Sequence, residues 1–245
     1  MGINRTTGGD FYRNKLVLVT GGAGFVGSHF VEELLARKAR IRAPVHKREM
    51  KIKDPSIEML KLDMSSQDDC MKACDGVECV IHAAGAIAGA GLTGSLGAMA
   101  GIAVNLNLTS QMLQAAWSRK VKRFLLFSSS TGYPAFQHAV KEDEFWDGPV
   151  HSSYLGYGWM RRYLERLGEY VHKNSDTRVA IVRPTAVYGR RDDFNPGTSH
   201  VIPALIRRAV ARENPFVVWG GATVVRDFLH ITDLVKGSLS LLERY

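Results

Sequence analysis

Thr20-Gly21-Gly22-Ala23-Gly24-Phe25-Val26-Gly27 is the stretch that decides the fold. Glycines 21, 24 and 27 recur every three residues. Before them runs the apolar segment Lys15-Leu-Val-Leu-Val-Thr20, and after them Phe30, Val31, Leu34 and Leu35 recur at helical spacing up to Arg37. The order is therefore strand, glycine turn, helix. Glycine at these positions permits a tight turn, close backbone approach to a pyrophosphate, and tight packing of helix on strand, with the helix N-terminus facing the phosphates. Gly21, Gly24, Phe25, Val26 and Gly27 are accordingly candidate dinucleotide contacts.

Further along, Arg40 to Val45, Glu58 to Leu62, Val77 to His82, Arg123 to Phe127 and Arg178 to Arg183 read as strands. Asn105 to Trp117 and Tyr157 to His172 carry helical periodicity between them. Near-continuous apolar strands alternating with helices indicate an α/β fold, a doubly wound parallel sheet of Rossmann type covered on both faces. The 245 residues allow one large domain, or one complete domain with part of a second, with the division expected at 1–187 and 188–245. There is no internal repeat and no Pro/Ser-rich linker.

Composition narrows the function classes. The chain is 45% hydrophobic and 23% charged, which excludes disorder, collagen and coiled coil. Its net charge of +8 favours phosphate-bearing partners. The bases stand in ones and twos (Lys47-Arg48, Arg161-Arg162, Arg190-Arg191, Arg207-Arg208) without a polybasic run, so no nucleic-acid partner is expected. Cys70, Cys74 and Cys79 lack a histidine set at zinc spacing; they read as reduced thiols of a cytoplasmic protein, with no metal site. Arg5, Asp10, Arg13 and Lys15 interrupt any signal-peptide core, and the match of Met1-Gly2 with Thr6 to a myristoylation pattern is discounted. From Cys79 to Val104, 26 residues carry no Asp, Glu, Lys or Arg; glycines 85, 89, 91, 94, 97 and 101 argue for a strand followed by a flexible apolar loop instead of a membrane span.

In NAD binders an acidic residue closing the second strand holds the ribose 2′-hydroxyl, whereas a basic residue accommodates a 2′-phosphate. Here that strand runs into His46-Lys47-Arg48, with no carboxylate until Glu49. NADP is favoured over NAD, the competing reading being a solvated basic loop.

Thr20-Gly-Gly-Ala-Gly-Phe-Val-Gly27, Leu62-Asp63-Met64, His82-Ala83-Ala84-Gly85, Asn105, Ser128-Ser129-Ser130 with Tyr133-Pro134, Tyr157 and Arg183-Pro184-Thr185 stand in an order that resembles the extended short-chain dehydrogenases/reductases, the NAD(P)-dependent epimerase/dehydratase family. The likeness spans residues 15 to 240. Tyr188-Gly189, Asp192-Asp193-Phe194-Asn195-Pro196, Ser199-His200-Val-Ile-Pro-Ala-Leu-Ile-Arg207-Arg208 and Trp219-Gly220 leading to Arg226-Asp-Phe-Leu-His230 look most similar to the GDP-L-fucose synthases within it. The resemblance implies a Rossmann domain that holds the cofactor, a smaller C-terminal substrate domain, and work on nucleotide-diphosphate sugars by a homodimer. It also implies that Asp63 and Met64 meet the adenine, that Ala83, Ala84, Gly85 and Asn105 lie on the pyrophosphate side, that Pro184 and Thr185 meet the nicotinamide, and that Arg208 and Arg226 hold the substrate diphosphate. Family members usually continue past the point matching Asp233-Leu-Val-Lys-Gly, so a small or truncated C-terminal lobe is expected.

Hydride transfer at a sugar carbon needs a proton donor or acceptor at its oxygen, and a phenol serves near neutrality only beside a cation. Tyr157 has Arg161 one helical turn on; Tyr154 and Tyr163 have Gly158 and Leu167. The competing reading makes Tyr157 a buried aromatic anchor. The family places lysine where Arg161 stands, and arginine keeps the charge with a bulkier fork. Ser129, four residues before Tyr133, matches the serine beside the catalytic tyrosine, with Ser128 and Ser130 as rivals. Thr131 replaces the cysteine that serves epimerisation in fucose synthases, which weakens two-carbon epimerisation and leaves reduction, dehydration or 4-epimerisation. His200, before Val201-Ile202-Pro203, stands at a helix start as a proton donor or acceptor, against a capping role. Arg190, Arg191 and Arg207 read as solvated, and Cys70 and Cys74 as packing. The expected activity is an NAD(P)-dependent nucleotide-sugar epimerase/reductase acting on a GDP-4-keto-6-deoxy sugar. The alternatives are a UDP- or dTDP-sugar 4-epimerase or 4,6-dehydratase with bound NAD, and a catalytically degenerate nucleotide-binding protein, favoured by Arg161 and Thr131.

Overall fold

Five successive buried residues, Leu16–Thr20, form β1, and a strand apolar on both faces can only lie inside a sheet. The computed structural model describes residues 11–86, 95–218, 220–221 and 225–245. Its six parallel strands are β1, β2 (Arg40–Val45), β3 (Ile57–Lys61), β4 (Cys79–His82), β5 (Arg123–Phe127) and β6 (Arg178–Val182), in the order β3-β2-β1-β4-β5-β6. The register runs Val17↔Cys79 between β1 and β4 and Val17↔Ile41 between β1 and β2. Pro44, which has no N–H to give, lies past the part of β2 that pairs with β1. Chain direction of travel across the sheet reverses between β1 and β4, which opens a crevice at the carboxyl ends of the strands.

Helices cover both faces. On one, α1 (Phe25–Ala36) and α6 (Ile231–Arg244) pack Phe30, Leu34, Leu239 and Leu242 against Val17, Val19 and Ile81. On the other, α2 (Gln67–Ala73), α3 (Leu96–Ser118) and α4 (Leu155–Asn174) pack Cys70, Met112, Leu113 and Val171 against Leu18, Val80 and Phe124. Phe124 is fully buried, and truncating it to alanine costs about 3–5 kcal/mol. Cys70, Cys74 and Cys79 are free buried thiols, pushed up to about 12, 12 and 11 by burial first; the packing role holds.

The glycine-dense stretch corrects one expectation. Helix α3 begins at Leu96, nine residues before the Asn105 start read from periodicity. Ser95 caps it by accepting from the Ala98 amide, and tertiary packing outweighs the poor helix propensity of Gly97 and Gly101. Gly89, Gly91 and Gly94 lie outside the described residues, as do Met1, Gly2, Thr6 and Trp219. Among the described residues no helix is long and apolar enough to cross a membrane.

Past β6 the chain forms β7 (Ala186–Tyr188), α5 (Val201–Val210) and β8 (Phe228–His230); β7 and β8 pair in parallel. Helix α6 then returns to the main sheet, where Leu239 accepts from the buried Tyr12 hydroxyl at 2.8 Å.

Candidate active site

The glycine turn is set by contact with the loop after β4. Gly21 has φ +68°, and a Cβ there would lie 2.6 Å from the Ala83 carbonyl oxygen. At Gly27 a Cβ would overlap the Gly21 carbonyl. Helix α1 therefore starts with Gly24, which offers no side-chain cap, and with no acidic residue in its first turn. Its leading N–H groups have no intrahelical acceptor, which suits a pyrophosphate. The side chains of Phe25 and Val26 pack on the core, leaving their amides as the useful groups. Thr20 Oγ1 accepts from the Ala84 amide at 3.1 Å and bonds His82 Nδ1 at 2.9 Å; His82 Nε2 meets Thr109 Oγ1 at 3.3 Å. Burial, then the Arg161 charge, push the His82 imidazole down to about 4, so it is neutral and structural. Gly85 lies against Asn105. Asn105, a candidate on the pyrophosphate side, gives its amide to Ala86 O and Gly101 O, and accepts from the Ala86 amide. It holds the β4 loop in place.

Just past β2, His46, Lys47 and Arg48 are exposed and rim a cavity of about 740 Å³ that also takes in Lys53, Lys61 and Met59, with Glu49 and Asp54 among its lining. Its bases outnumber its carboxylates. Asp63 stands nearby, its carboxyl held low first by the Ser65 amide and hydroxyl, with His46 and Lys47 adding to the effect. Met64 is held by packing. Its side chain is buried beneath α2 because it closes the apolar cluster there, and its carbonyl takes the Cys70 thiol.

The candidate acid–base group lies at the ends of β5 and β6. Tyr157 sits in the first turn of α4, its hydroxyl buried without a hydrogen-bond partner and pressed against Gly101 of α3. Arg161, one turn on, donates to the Phe127 carbonyl at 2.9 Å. Burial pushes the Arg161 guanidinium down, and Tyr157 pushes it back up. The expected neighbours are thus together, although Arg161 is tied to the end of β5. Ser129 Oγ accepts from the Thr131 amide at 3.2 Å, and Ser130 N donates to the Pro184 carbonyl, which brings Pro184 and Thr185 alongside. Its rival Ser128 is buried with an unpartnered hydroxyl.

The sugar-side candidates are spread along the surface. His200 is exposed at the N-terminus of α5 and makes no side-chain cap, so the capping role is not what the structure has. It bears electrostatically on Asp192 and Asp193; burial raises Asp192, whose Oδ2 lacks a partner. Arg208 donates to both Glu213 oxygens and lies over Phe216. Arg226 is exposed and bonds the Val225 carbonyl. Arg190 and Arg191 both grip Glu32 on α1; Arg190 is solvated as expected, 67% exposed, whereas Arg191 is 16% exposed against that expectation, and His29 Nε2 meets the Arg190 carbonyl at 2.7 Å. The physical reason is that α1 presents a carboxylate where this loop crosses it. Arg207 is half-buried with an unpartnered Nε.

Sequence reasoning missed Arg162, Glu165 and Arg183, a buried group beneath the Ser129 segment. The one available signal was three charged residues inside an otherwise apolar helix face and strand end.

Residues 17–245 match the family described as "NAD dependent epimerase/dehydratase family". Over 96% of its length the chain is 30% identical to a dTDP-4-dehydro-6-deoxy-D-allose reductase of Streptomyces bikiniensis, covering 74% of that protein. It is 33% identical to the GDP-L-fucose synthase of Escherichia coli (strain K12) over 144 residues, 57% of this chain and 45% of that one. The solved UDP-N-acetylglucosamine 4-epimerase of Methanobrevibacter ruminantium M1 shares the fold with TM-score 0.81 and 23% identity, over 94% of this chain and 74% of that one. A glycine turn shaped for a pyrophosphate, a tyrosine one turn before a cation and a match running through nearly the whole length agree: the chain belongs to the NAD dependent epimerase/dehydratase family.

Proposed function

We propose that this chain is an NADP(H)-dependent nucleotide-sugar enzyme that reduces the 4-keto group of a nucleotide-diphosphate 4-keto-6-deoxy sugar. The observation that carries the reading is the buried, unpartnered Tyr157 hydroxyl beside Arg161 at the crevice. Residues 1–187 hold the cofactor and 188–245 contribute the sugar side. Gly21, Gly24, Phe25, Val26 and Gly27 take the pyrophosphate by their amides, with Ala83, Ala84 and Gly85 opposite. His46, Lys47 and Arg48 take the 2′-phosphate, Asp63 and the Met64 backbone the adenine, and Pro184 and Thr185 the nicotinamide side. When bound, the nicotinamide supplies a hydride to the sugar carbon or takes one from it. Tyr157 moves the proton at the sugar oxygen, Ser129 hydrogen-bonds that oxygen, and Arg161 is the neighbouring cation. His200 donates or accepts a proton at the sugar ring, and Arg208 and Arg226 meet the diphosphate. Thr131 is a far poorer base than a thiolate, which supports reduction over two-carbon epimerisation. The two named sugar-modifying relatives divide on the base, dTDP or GDP. GDP is the base favoured by the segment around His200. A cytoplasmic homodimer accords with three free thiols and with exposed apolar residues on α3 and α4, among them Met99, Tyr163 and Tyr170.

Single-turnover oxidation of NADPH with GDP-, dTDP- and UDP-linked 4-keto-6-deoxy sugars tests the reading. Tyr157→Phe should slow the reactive sugar by about 10²- to 10⁴-fold. A wild type that oxidises NADPH with none of them overturns it. For the cofactor, Lys47→Ala with Arg48→Ala should weaken NADPH binding by about 1.5–3 kcal/mol for each lost charge-assisted bond while leaving NADH unchanged. Equal losses for both cofactors in calorimetry would return NAD as the partner.

A further inference from the structure

Residues 129–150, between β5 and α4, have little regular structure beyond short 3-10 turns at Ser130–Gly132 and Asp143–Trp146. Backbone carbonyls in such a segment need donors from elsewhere. Two guanidinium groups supply four of them. Arg162 of α4 is 3% exposed; its Nε donates to Gly132 O at 2.8 Å, its Nη1 to Gly148 O at 2.8 Å and its Nη2 to Phe145 O at 2.5 Å. Arg183, just past β6, donates to Glu142 O at 2.7 Å and grips both oxygens of the buried Glu165 at 2.8 Å. Its guanidinium also lies 3.8 Å from the centroid of Phe145, which is fully buried against Gly132 and Tyr133.

One end of this segment carries Ser129 and Thr131. The other leads into α4, where Tyr157 stands five residues before Arg162. Between them, a Cβ at Gly158 would lie 2.5 Å from the Thr131 carbonyl, so the segment touches the helix right beside the tyrosine. The spacing between Ser129 and Tyr157 is thus set by what holds this segment to α4. We propose that Arg162 is a positioning residue: by holding the carbonyls of Gly132, Phe145 and Gly148 to α4, it fixes Ser129 relative to Tyr157. The inference rests on the reading of Ser129 and Tyr157 as the acid–base pair. A planar fork with five N–H donors spans three carbonyls; a lysine ammonium, with the same charge at one point, does not.

Two measurements on the whole chain decide it. Hydrogen exchange needs no substrate: Arg162→Lys should speed amide exchange in residues 129–149 by about tenfold or more, leaving Phe25–Ala36 unchanged. Unchanged exchange in 129–149 overturns the proposal. The second is a double-mutant cycle in turnover of whichever 4-keto nucleotide sugar the wild type reduces. Arg162→Lys should lower kcat by about 10- to 100-fold with KM within about twofold, and add less than about twofold once Ser129 is alanine. Equal losses in both backgrounds mean that Arg162 does not act through Ser129, and overturn the proposal. Should Arg162→Lys fail to fold, Arg162→Gln is read by the same two measurements. A wild type inactive on every sugar defeats the proposed function alone, since the exchange result stands without it.

Discussion

At the glycine turn the candidate binding groups are backbone amides of α1, fixed by the contact of Gly21 with Ala83 and by the Thr20–His82–Thr109 chain of hydrogen bonds. Around α5 they are side chains: an exposed His200, an Arg208 paired with Glu213, and an Arg226 with only a weak local bond. The first region is set by backbone contacts that belong to the fold itself. The second holds Arg208 in an exposed pairing with Glu213; under the proposed function, carboxylate and diphosphate compete for that guanidinium.

The sharpest way to break this contrast is Gly21→Ala. A side chain at φ +68° against the Ala83 carbonyl adds backbone strain and a clash. We expect NADPH affinity to fall by about 100-fold or more, on the order of 3 kcal/mol. Calorimetry that shows a loss under about fivefold would mean the turn adapts. Next in size is an acid effect confined to the first region. The His82 imidazole is held at about 4 in the fold against 6.5 as its ordinary value, so the unfolded chain takes the proton first. That contribution, on the order of 3 kcal/mol, is whole above about pH 6.5 and is lost as pH falls toward about 4. Urea unfolding across this window should show the decline in wild type and a flatter profile in His82→Gln; parallel profiles would place the acid sensitivity elsewhere. The smallest effect belongs to the surface region. Glu213→Gln should free Arg208 and strengthen binding of a nucleotide diphosphate by about two- to fivefold, more at low salt. No change, with Arg208→Ala equally silent, would remove Arg208 from the diphosphate site.

The same contrast governs what could be read from the sequence. The strands, the glycine turn and the pairing of Tyr157 with Arg161 follow from short-range spacing, and they stand in the structure where spacing put them. The start of α3 did not, because propensity counts Gly97 and Gly101 against a helix, whereas contact with the distant Tyr157 favours glycine at 101. Arg191 read as a solvated base because nothing near it in the chain announces Glu32, 159 positions away. Arg162 looked like half of a surface dibasic pair; its three carbonyl partners lie 14 to 30 positions back in an irregular segment that no periodicity describes. Met64 and Asn105 stand out along the chain as motif residues, whereas the burial of the one and the bonds of the other to Ala86 and Gly101 depend on packing around α2 and α3.

Gly101 bears on how this chain can change over generations. Every single-nucleotide change in a glycine codon that alters the amino acid while keeping the chain open installs a side chain, and at this position any side chain points at the Tyr157 oxygen. Two residues away on the same helix, Met99 is 57% exposed and open to many replacements. Drift along α3 is therefore blocked at one codon and free at its neighbour. In a population of descendants that keep the chemistry, α3 should vary along its outer face around an unvarying glycine.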